Sequence, residues 1–329
     1  MANSNLRIQA AIIDSRERLQ LPLLARILRS YYRTNLRGAT RATLLLARYA
    51  KSLQNVPIQI ADGPAIYVDL RMLSSHFWLI GTPFDRSPIE LDEQTVMRRF
   101  VRPGDTVFDI GANYGVHTAL LAELAGSRGH VFAFEPNPEL LTGLARIVER
   151  LGNASLSCYA LSDEDTTAVF FVPPDRTMSS LADWTSMERM PTQRQQAVLG
   201  KTSTITVQQQ RIDDLVRKGD LPMPNFIKCD VEGAELKVFR GGKETLDRVE
   251  APVVLFEAGP ESAHGFGFGM TDAADFLVGL QRPGYQLFEV QAGGTLRQVR
   301  SAELKKQNQN VLAVPRNEHA RCPELASNG

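Results

Sequence analysis

The chain has 329 residues with 43% apolar content, enough for a full α/β core, and its 37 basic residues balance its 37 acidic ones. The neutral sum hides an asymmetry: residues 1 to 50 hold nine Arg against Asp14 and Glu17, so a basic arm of +7 precedes an acidic body of −7. Three cysteines (Cys158, Cys229 and Cys322) without C-x-x-C spacing exclude a disulfide framework and a cysteine zinc site, and predict a soluble chain in a reducing cytoplasm.

Residues 6 to 53 carry helical periodicity. Leu19, Leu23, Leu24, Ile27, Leu28 and Tyr31 form an apolar stripe with Arg26, Arg29 and Arg33 largely outside it, and Gly38 separates this helix from a second through Leu44 to Leu53. A basic amphipathic segment suits either peripheral contact with an anionic membrane surface or packing of its stripe on the main domain or a second subunit. No run reaches the roughly 18 to 20 apolar residues of a bilayer span, and the N-terminus lacks a signal-peptide core. Pro57 to Leu70 alternates as a hairpin turning at Asp62-Gly63-Pro64, and Glu93 to Val101 reads as a helix broken by Pro103-Gly104. Residues 1–100 are thus expected to form a helical and hairpin extension, placed to cap the edge near the cofactor.

The rest of the chain is organised around Thr106 to Thr118. Val107, Phe108 and Ile110 suit a buried parallel strand, and Gly111 and Gly115 let the backbone turn and approach a ligand. The spacing is G-x-x-x-G with Asp109 ahead of it, which lacks the G-x-G-x-x-G of a pyrophosphate cradle and disfavours a dinucleotide oxidoreductase. An acid at that turn suits a cationic ligand group. The next strand, His130 to Phe134, ends in Glu135, and a carboxylate at the second strand's tip is the usual partner of ribose hydroxyls. A nucleoside with a cationic amino-acid tail would satisfy both.

Helices from Val116 to Ala125 and Pro138 to Leu151 complete a βαβ alternation, and Leu156 to Leu161 is a third strand. Val169 to Val172 and Thr204 to Gln209 are further strands flanking a polar stretch, Pro173 to Ser203, long enough for a lid or mobile loop and containing Trp184. Asn225 to Cys229 is the fourth strand, delivering Asp230, Glu232 and Glu235 around Gly233. Pro252 to Phe256 is the fifth, with Glu257 at its tip before a glycine-rich loop holding His264. Thr271 to Leu280 is a helix, Tyr285 to Gln291 and Asn310 to Pro315 supply the last two strands, and residues 316–329 form a polar tail.

Asp109-Ile-Gly-Ala-Asn-Tyr-Gly, Phe134-Glu-Pro-Asn-Pro and Ile227-Lys-Cys-Asp-Val-Glu-Gly-Ala-Glu resemble the three ordered signatures of the FkbM family of S-adenosylmethionine-dependent methyltransferases. The resemblance implies a Rossmann-like class I methyltransferase fold over residues 101–315, a mostly parallel seven-stranded sheet with helices on both faces. It implies S-adenosylmethionine as cofactor, held by Asp109, Gly111, Asn113, Gly115, Glu135, Asp163 and Asp230, with Asp163 at the adenine edge. Asp230 and Glu232 are the candidates for aligning cofactor and acceptor, and His264 is a further general-base candidate. The implied reaction is O-methylation of a small-molecule or saccharide hydroxyl; the alternative is a cofactor-binding or scaffold protein without turnover. A divalent ion gathered by Asp230, Glu232, Glu257 and His264 is disfavoured, because their separations give no local ligand spacing. Nucleic acid is disfavoured as a partner, because the catalytic region is acidic and lacks an Asn/Asp-Pro-Pro-aromatic motif.

Overall fold

The computed structural model describes residues 21–34, 37–59, 65–72, 75, 76, 79, 88–173, 179–182, 202–259, 265–304 and 309–321. The turn at 62–64, Trp184, most of the polar stretch and His264 lie outside them. The chain divides into two compact units, residues 1–84 and 85–329.

In the first unit, helix α1 (Leu23–Arg33) and helix α2 (Ala39–Tyr49) are joined through Gly38, whose φ of +98° favours glycine. The second helix begins five residues before the expected Leu44 and gives way to a short 3-10 turn at Lys51–Leu53. Strands β1 (Val56–Gln59) and β2 (Ala65–Val68) pair antiparallel as the expected hairpin. The Tyr32 hydroxyl meets His76 Nδ1 at 2.7 Å, while His76 Nε2 lies 2.8 Å from the Leu70 carbonyl.

The second unit opens with α3 (Pro88–Phe100), whose Val96, Met97 and Phe100 are buried against the sheet. Then come β3 (Thr106–Ile110), α4 (Val116–Ala125), β4 (His130–Phe134), α5 (Pro138–Leu151), β5 (Ala154–Ser157), β6 (Ala160–Leu161), β7 (Thr166–Val172) and β8 (Ser203–Gln210). After them come α6 (Ile212–Lys218), β9 (Phe226–Cys229), α7 (Glu235–Gly241), α8 (Lys243–Leu246), β10 (Val253–Ala258), α9 (Asp272–Gly279), β11 (Gln286–Val290), β12 (Leu296–Val299) and β13 (Gln309–Val314). The large sheet has the order β12-β11-β13-β10-β9-β3-β4-β5. Strands β5, β4, β3, β9 and β10 run parallel, and β13 is inserted antiparallel between β10 and β11.

From β5 to β11 this is the seven-stranded class I methyltransferase arrangement; β12 adds an eighth, antiparallel edge strand that the sequence pattern does not announce. A second correction concerns the third strand. The run Leu156 to Leu161 is two strands: β5 closes the large sheet, whereas β6 leaves it to pair with β8 in a separate three-stranded sheet. Continuous β propensity does not say which neighbour a strand will find.

The central strands are buried on both faces, as parallel strands must be, and their side chains alternate between two cores. Val107, Phe226, Val253 and Leu255 face α3 and α4; Phe108, Ile110, Ile227, Cys229, Val254 and Phe256 face α7 and α9. By the same alternation Asp109 and Lys228, which are direct cross-strand partners, fall on the α3 and α4 face.

Candidate active site

The carboxyl ends of β3, β4 and β9 open into a cleft with about 620 Å³ of empty space. Its apolar walls include Phe134, Leu140, Tyr159, Leu161, Phe170 and Leu181, and its polar rim is Gly111, Asn113, Glu135, Ser179, Asp230 and Glu232. Among the described residues that line it are three acids and no Lys, Arg or His.

The floor is the β3 turn. Gly111 has φ of +79°, and a Cβ there would lie 1.9 Å from the Asp230 carbonyl oxygen, so only glycine lets the turn lie against the β9 tip. The Asp230 N–H in turn donates to the Ile110 carbonyl at 3.0 Å. Asn113 takes a positive φ of 52°, which turns its N–H onto Glu135 Oε2 at 3.0 Å. Glu135 Oε1 accepts from the Asn137 N–H at 2.8 Å, and Asn137 itself caps α5 by accepting from the Glu139 N–H at 3.0 Å. Glu135 is therefore fixed by two backbone donors on its two oxygens. Burial pushes its carboxyl up to about 7, against the lowering effect of those two donors.

Gly115 serves packing rather than the cleft: a Cβ there would meet Leu144 of α5 at 2.6 Å. Asp109 also lies elsewhere than the motif implied. It is fully buried beneath the turn, accepts the Thr118 hydroxyl on Oδ2 at 2.6 Å, and does not line the cleft. The strand's alternation is the reason, since Phe108 and Ile110 occupy the other face.

Behind the turn, Asp109 belongs to a buried charged layer. Lys228 Nζ lies 3.1 Å from Asp230 Oδ2 and 3.4 Å from the Gly111 carbonyl. Burial alone would lower the Lys228 pKa, but Asp230, Asp109 and Glu93 outweigh it and hold the ammonium charged. Burial raises Asp109 and takes Glu93 to about 7, and it lowers His117 to about 3. The 3.5 Å approach of His117 Nε2 to Glu93 Oε2 thus joins a neutral imidazole to a carboxyl near its midpoint. Asn310 of β13 donates to Glu93 Oε1. One lysine therefore serves three acids, two of which burial moves toward their neutral forms. Lys228 lies within the third motif, yet nothing in the motif's spacing marks it as the cation of this layer.

Asp230 differs from its neighbours in exposure: its side chain is 39% accessible and reaches the cleft, while that of Lys228 is 5% accessible. Glu232 comes next in a left-handed conformation, φ 55°, and its carbonyl accepts the Ser180 hydroxyl at 3.0 Å. This fastens residues 179–182 over the cleft, where Ser180 also bridges to Phe171 of β7 and the Asn137 side chain donates to Ser179 Oγ at 3.1 Å. Glu235 holds the loop from the other side, its Oε1 accepting from Val231 at 3.0 Å and Gly233 at 3.3 Å.

Asp163 is not part of the cleft lining. Gly241, where a Cβ would lie 1.9 Å from the Ser162 carbonyl, brings α7 against this segment, and Lys237 of α7 binds Asp163 Oδ1 at 2.7 Å. Glu257 does not line the cleft either, and no group of three His, Cys, Asp or Glu side chains among the described residues has metal-holding geometry.

Comparison with known proteins decides the family. A model described as the methyltransferase FkbM domain matches residues 109–287. The chain belongs to the FkbM methyltransferase family. Hexuronic acid methyltransferase AglP of Haloferax volcanii is 29% identical over 171 residues, 51% of this chain and 63% of AglP. The 2-O-methyltransferase NoeI of Sinorhizobium fredii is 27% identical over 151 residues, 45% of this chain and 61% of NoeI. The FkbM chain thus spans less than two thirds of either relative. Among solved structures, a SAM-dependent methyltransferase from Aquifex aeolicus is 14% identical with a TM-score of 0.37, covering 73% of this chain and 96% of its own.

Proposed function

We propose that the chain is an S-adenosylmethionine-dependent O-methyltransferase acting on a saccharide hydroxyl. The observation that carries this reading is the charge of the cleft: three acids and no basic side chain line it among the described residues, around a glycine turn. A pyrophosphate would be repelled there, whereas a sulfonium nucleoside with an ammonium group fits the donor set. Glu135, at the second strand's tip, is placed for the ribose hydroxyls; Phe134, Leu140 and Tyr159 offer an apolar wall for the adenine; Asp230 and the Gly111 turn are placed for the amino-acid end.

The cofactor would supply a methyl group already activated by the positive sulfur. The chain then has to align a hydroxyl with that carbon and accept its proton as the oxygen–carbon bond forms and the carbon–sulfur bond breaks. Asp230 is the carboxylate for this step, half-exposed at the mouth and steadied from behind by the Lys228 ammonium. The saccharide acceptor is supported by the AglP and NoeI similarities. The test is mass spectrometry of uronic-acid and neutral oligosaccharides after incubation with isotopically labelled methyl donor. Label on a sugar oxygen is expected; cofactor binding without any transfer would replace this reading by a scaffold role.

A further inference from the structure

The first unit carries a surface that methyl transfer leaves unexplained. Between residues 18 and 61 the chain contains no Asp or Glu, while its described part holds Arg26, Arg29, Arg33, Arg37, Arg41, Arg48 and Lys51. Helix α1 buries Ala25 and Leu28, and α2 buries Ala39, Thr43, Leu44 and Ala47. What the two helices leave in solvent is apolar: Leu23, Leu24 and Ile27 on α1, and Leu45, Leu46 and Tyr49 on α2, with Leu23 63% and Tyr49 83% accessible. Leu23 and Ile27 are one turn apart, as are Leu45 and Tyr49, so these side chains stack along each helix instead of scattering. Arg26, Arg33, Arg41 and Arg48 are exposed on the same two helices.

A helix on a water-facing surface would keep its outer side polar. Uncompensated positive charge narrows what can cover this one. A second copy presenting the same face would set arginine against arginine with no acid between them, at a repulsive cost. An anionic bilayer surface takes both components, the apolar side chains at the headgroup boundary and the arginines on phosphates. Each helix has 11 residues, a length of about 16 Å against the roughly 30 Å of a hydrocarbon core, so the helices would lie in the interface and not cross it.

We propose that α1 and α2 form an interfacial anchor that seats the chain on an anionic bilayer surface. The probe is co-sedimentation of the full chain with vesicles of phosphatidylcholine alone or of equal parts phosphatidylcholine and phosphatidylglycerol. The chain is expected to pellet with the anionic vesicles only, and to be released progressively by salt. Ile27→Asp with Leu45→Asp should abolish pelleting. Arg41→Gln with Arg48→Gln should weaken it by roughly 30-fold, about fivefold per arginine. Both pairs are exposed, and unchanged circular dichroism and thermal melting of the variants establish that they fold. Equal recovery on neutral and anionic vesicles overturns the proposal. So does a dimer in sedimentation equilibrium that Leu45→Asp dissociates, which would assign the face to a second copy. Neither readout depends on methyl transfer.

Discussion

Replacing Glu135 with Gln separates the charge of the ribose acceptor from its shape. The carboxylate receives the Asn113 N–H on one oxygen at 3.0 Å and the Asn137 N–H on the other at 2.8 Å. An amide has a single acceptor oxygen, so one of these donors would face an NH₂ group. Losing a bond to a charged acceptor and stranding a donor costs about 1.5–3 kcal/mol, or roughly 10- to 100-fold in cofactor affinity if the loop must be rebuilt on binding. The pH dependence sharpens the test. Burial holds the empty carboxyl at about 7, and ribose hydroxyls donate to the ionised form, so binding below that value must expel a proton. Wild-type affinity for S-adenosylmethionine is expected to tighten by about tenfold per unit as pH rises toward about 7 and to level off above it. The Gln variant should show no such slope. Calorimetry in two buffers of different ionisation enthalpy measures affinity and counts the proton. A pH-independent wild type, or a Gln variant of equal affinity at about pH 8, would refute the placement of the ribose on Glu135.

Gly111→Ala puts a Cβ 1.9 Å from the Asp230 carbonyl at a φ of +79°, and should cost at least about 3 kcal/mol in urea unfolding while abolishing cofactor binding; a variant within about 1 kcal/mol of wild type would contradict the close approach. Glu235→Gln is expected to stabilise at alkaline pH, because Val231 and Gly233 both donate to one oxygen that an amide retains. The folded carboxyl is raised to about 7, so its stability contribution is complete below the ordinary 4.5 and lost as pH rises through about 7. The variant's advantage over wild type should therefore grow by about 2–3 kcal/mol from acid to alkaline pH in paired denaturation curves, and a constant difference would sink the idea. Asp230→Asn should cut single-turnover methyl transfer by roughly 100-fold or more with most cofactor affinity kept, and wild-type rates would remove Asp230 from the chemistry.

Much of this architecture is written locally. Helices α4 and α5 occupy the residues expected of them, because Gly115 and the Asn137-Pro138 cap mark their starts unambiguously. The three strand tips and their acids are legible from apolar runs ending in glycine or proline. What the sequence does not carry is pairing across distance. Asp163 meets Lys237 only because Gly241 admits α7 against Ser162, 74 residues of chain separating the two partners. The placement of β6 in the smaller sheet depends on β8, and Glu93 joins the buried layer through Asn310 on a strand 217 residues away. Asp109 is the instructive case, since its burial was readable. Val107 and Asp109 share one parity and Phe108 and Ile110 the other, so a strand covered on both faces had to send Asp109 under the helices.

Position along the strand also decides which acids can act. Asp109 is the fourth residue of a five-residue strand and is committed to the sheet; Glu135 and Asp230 each come immediately after the last residue of theirs. One step past the ladder, the backbone is free to turn and side chains project over the strand ends, where ligands of parallel sheets bind. These two then diverge by surroundings. Glu135 has both oxygens on backbone donors and is a fixed acceptor, suited to holding hydroxyls that do not react. Asp230 has one oxygen toward Lys228 and a largely solvent-facing carboxylate, which leaves it able to take up a proton without dismantling the turn. Lys228 sits at the register position beside Asp109 on one strand and two residues before Asp230 on its own, so a single buried cation ties the structural acid to the reactive one. The burial of Asp109 and Lys228 is in this sense part of the site: it sets the charge behind the turn and leaves the cleft itself acidic.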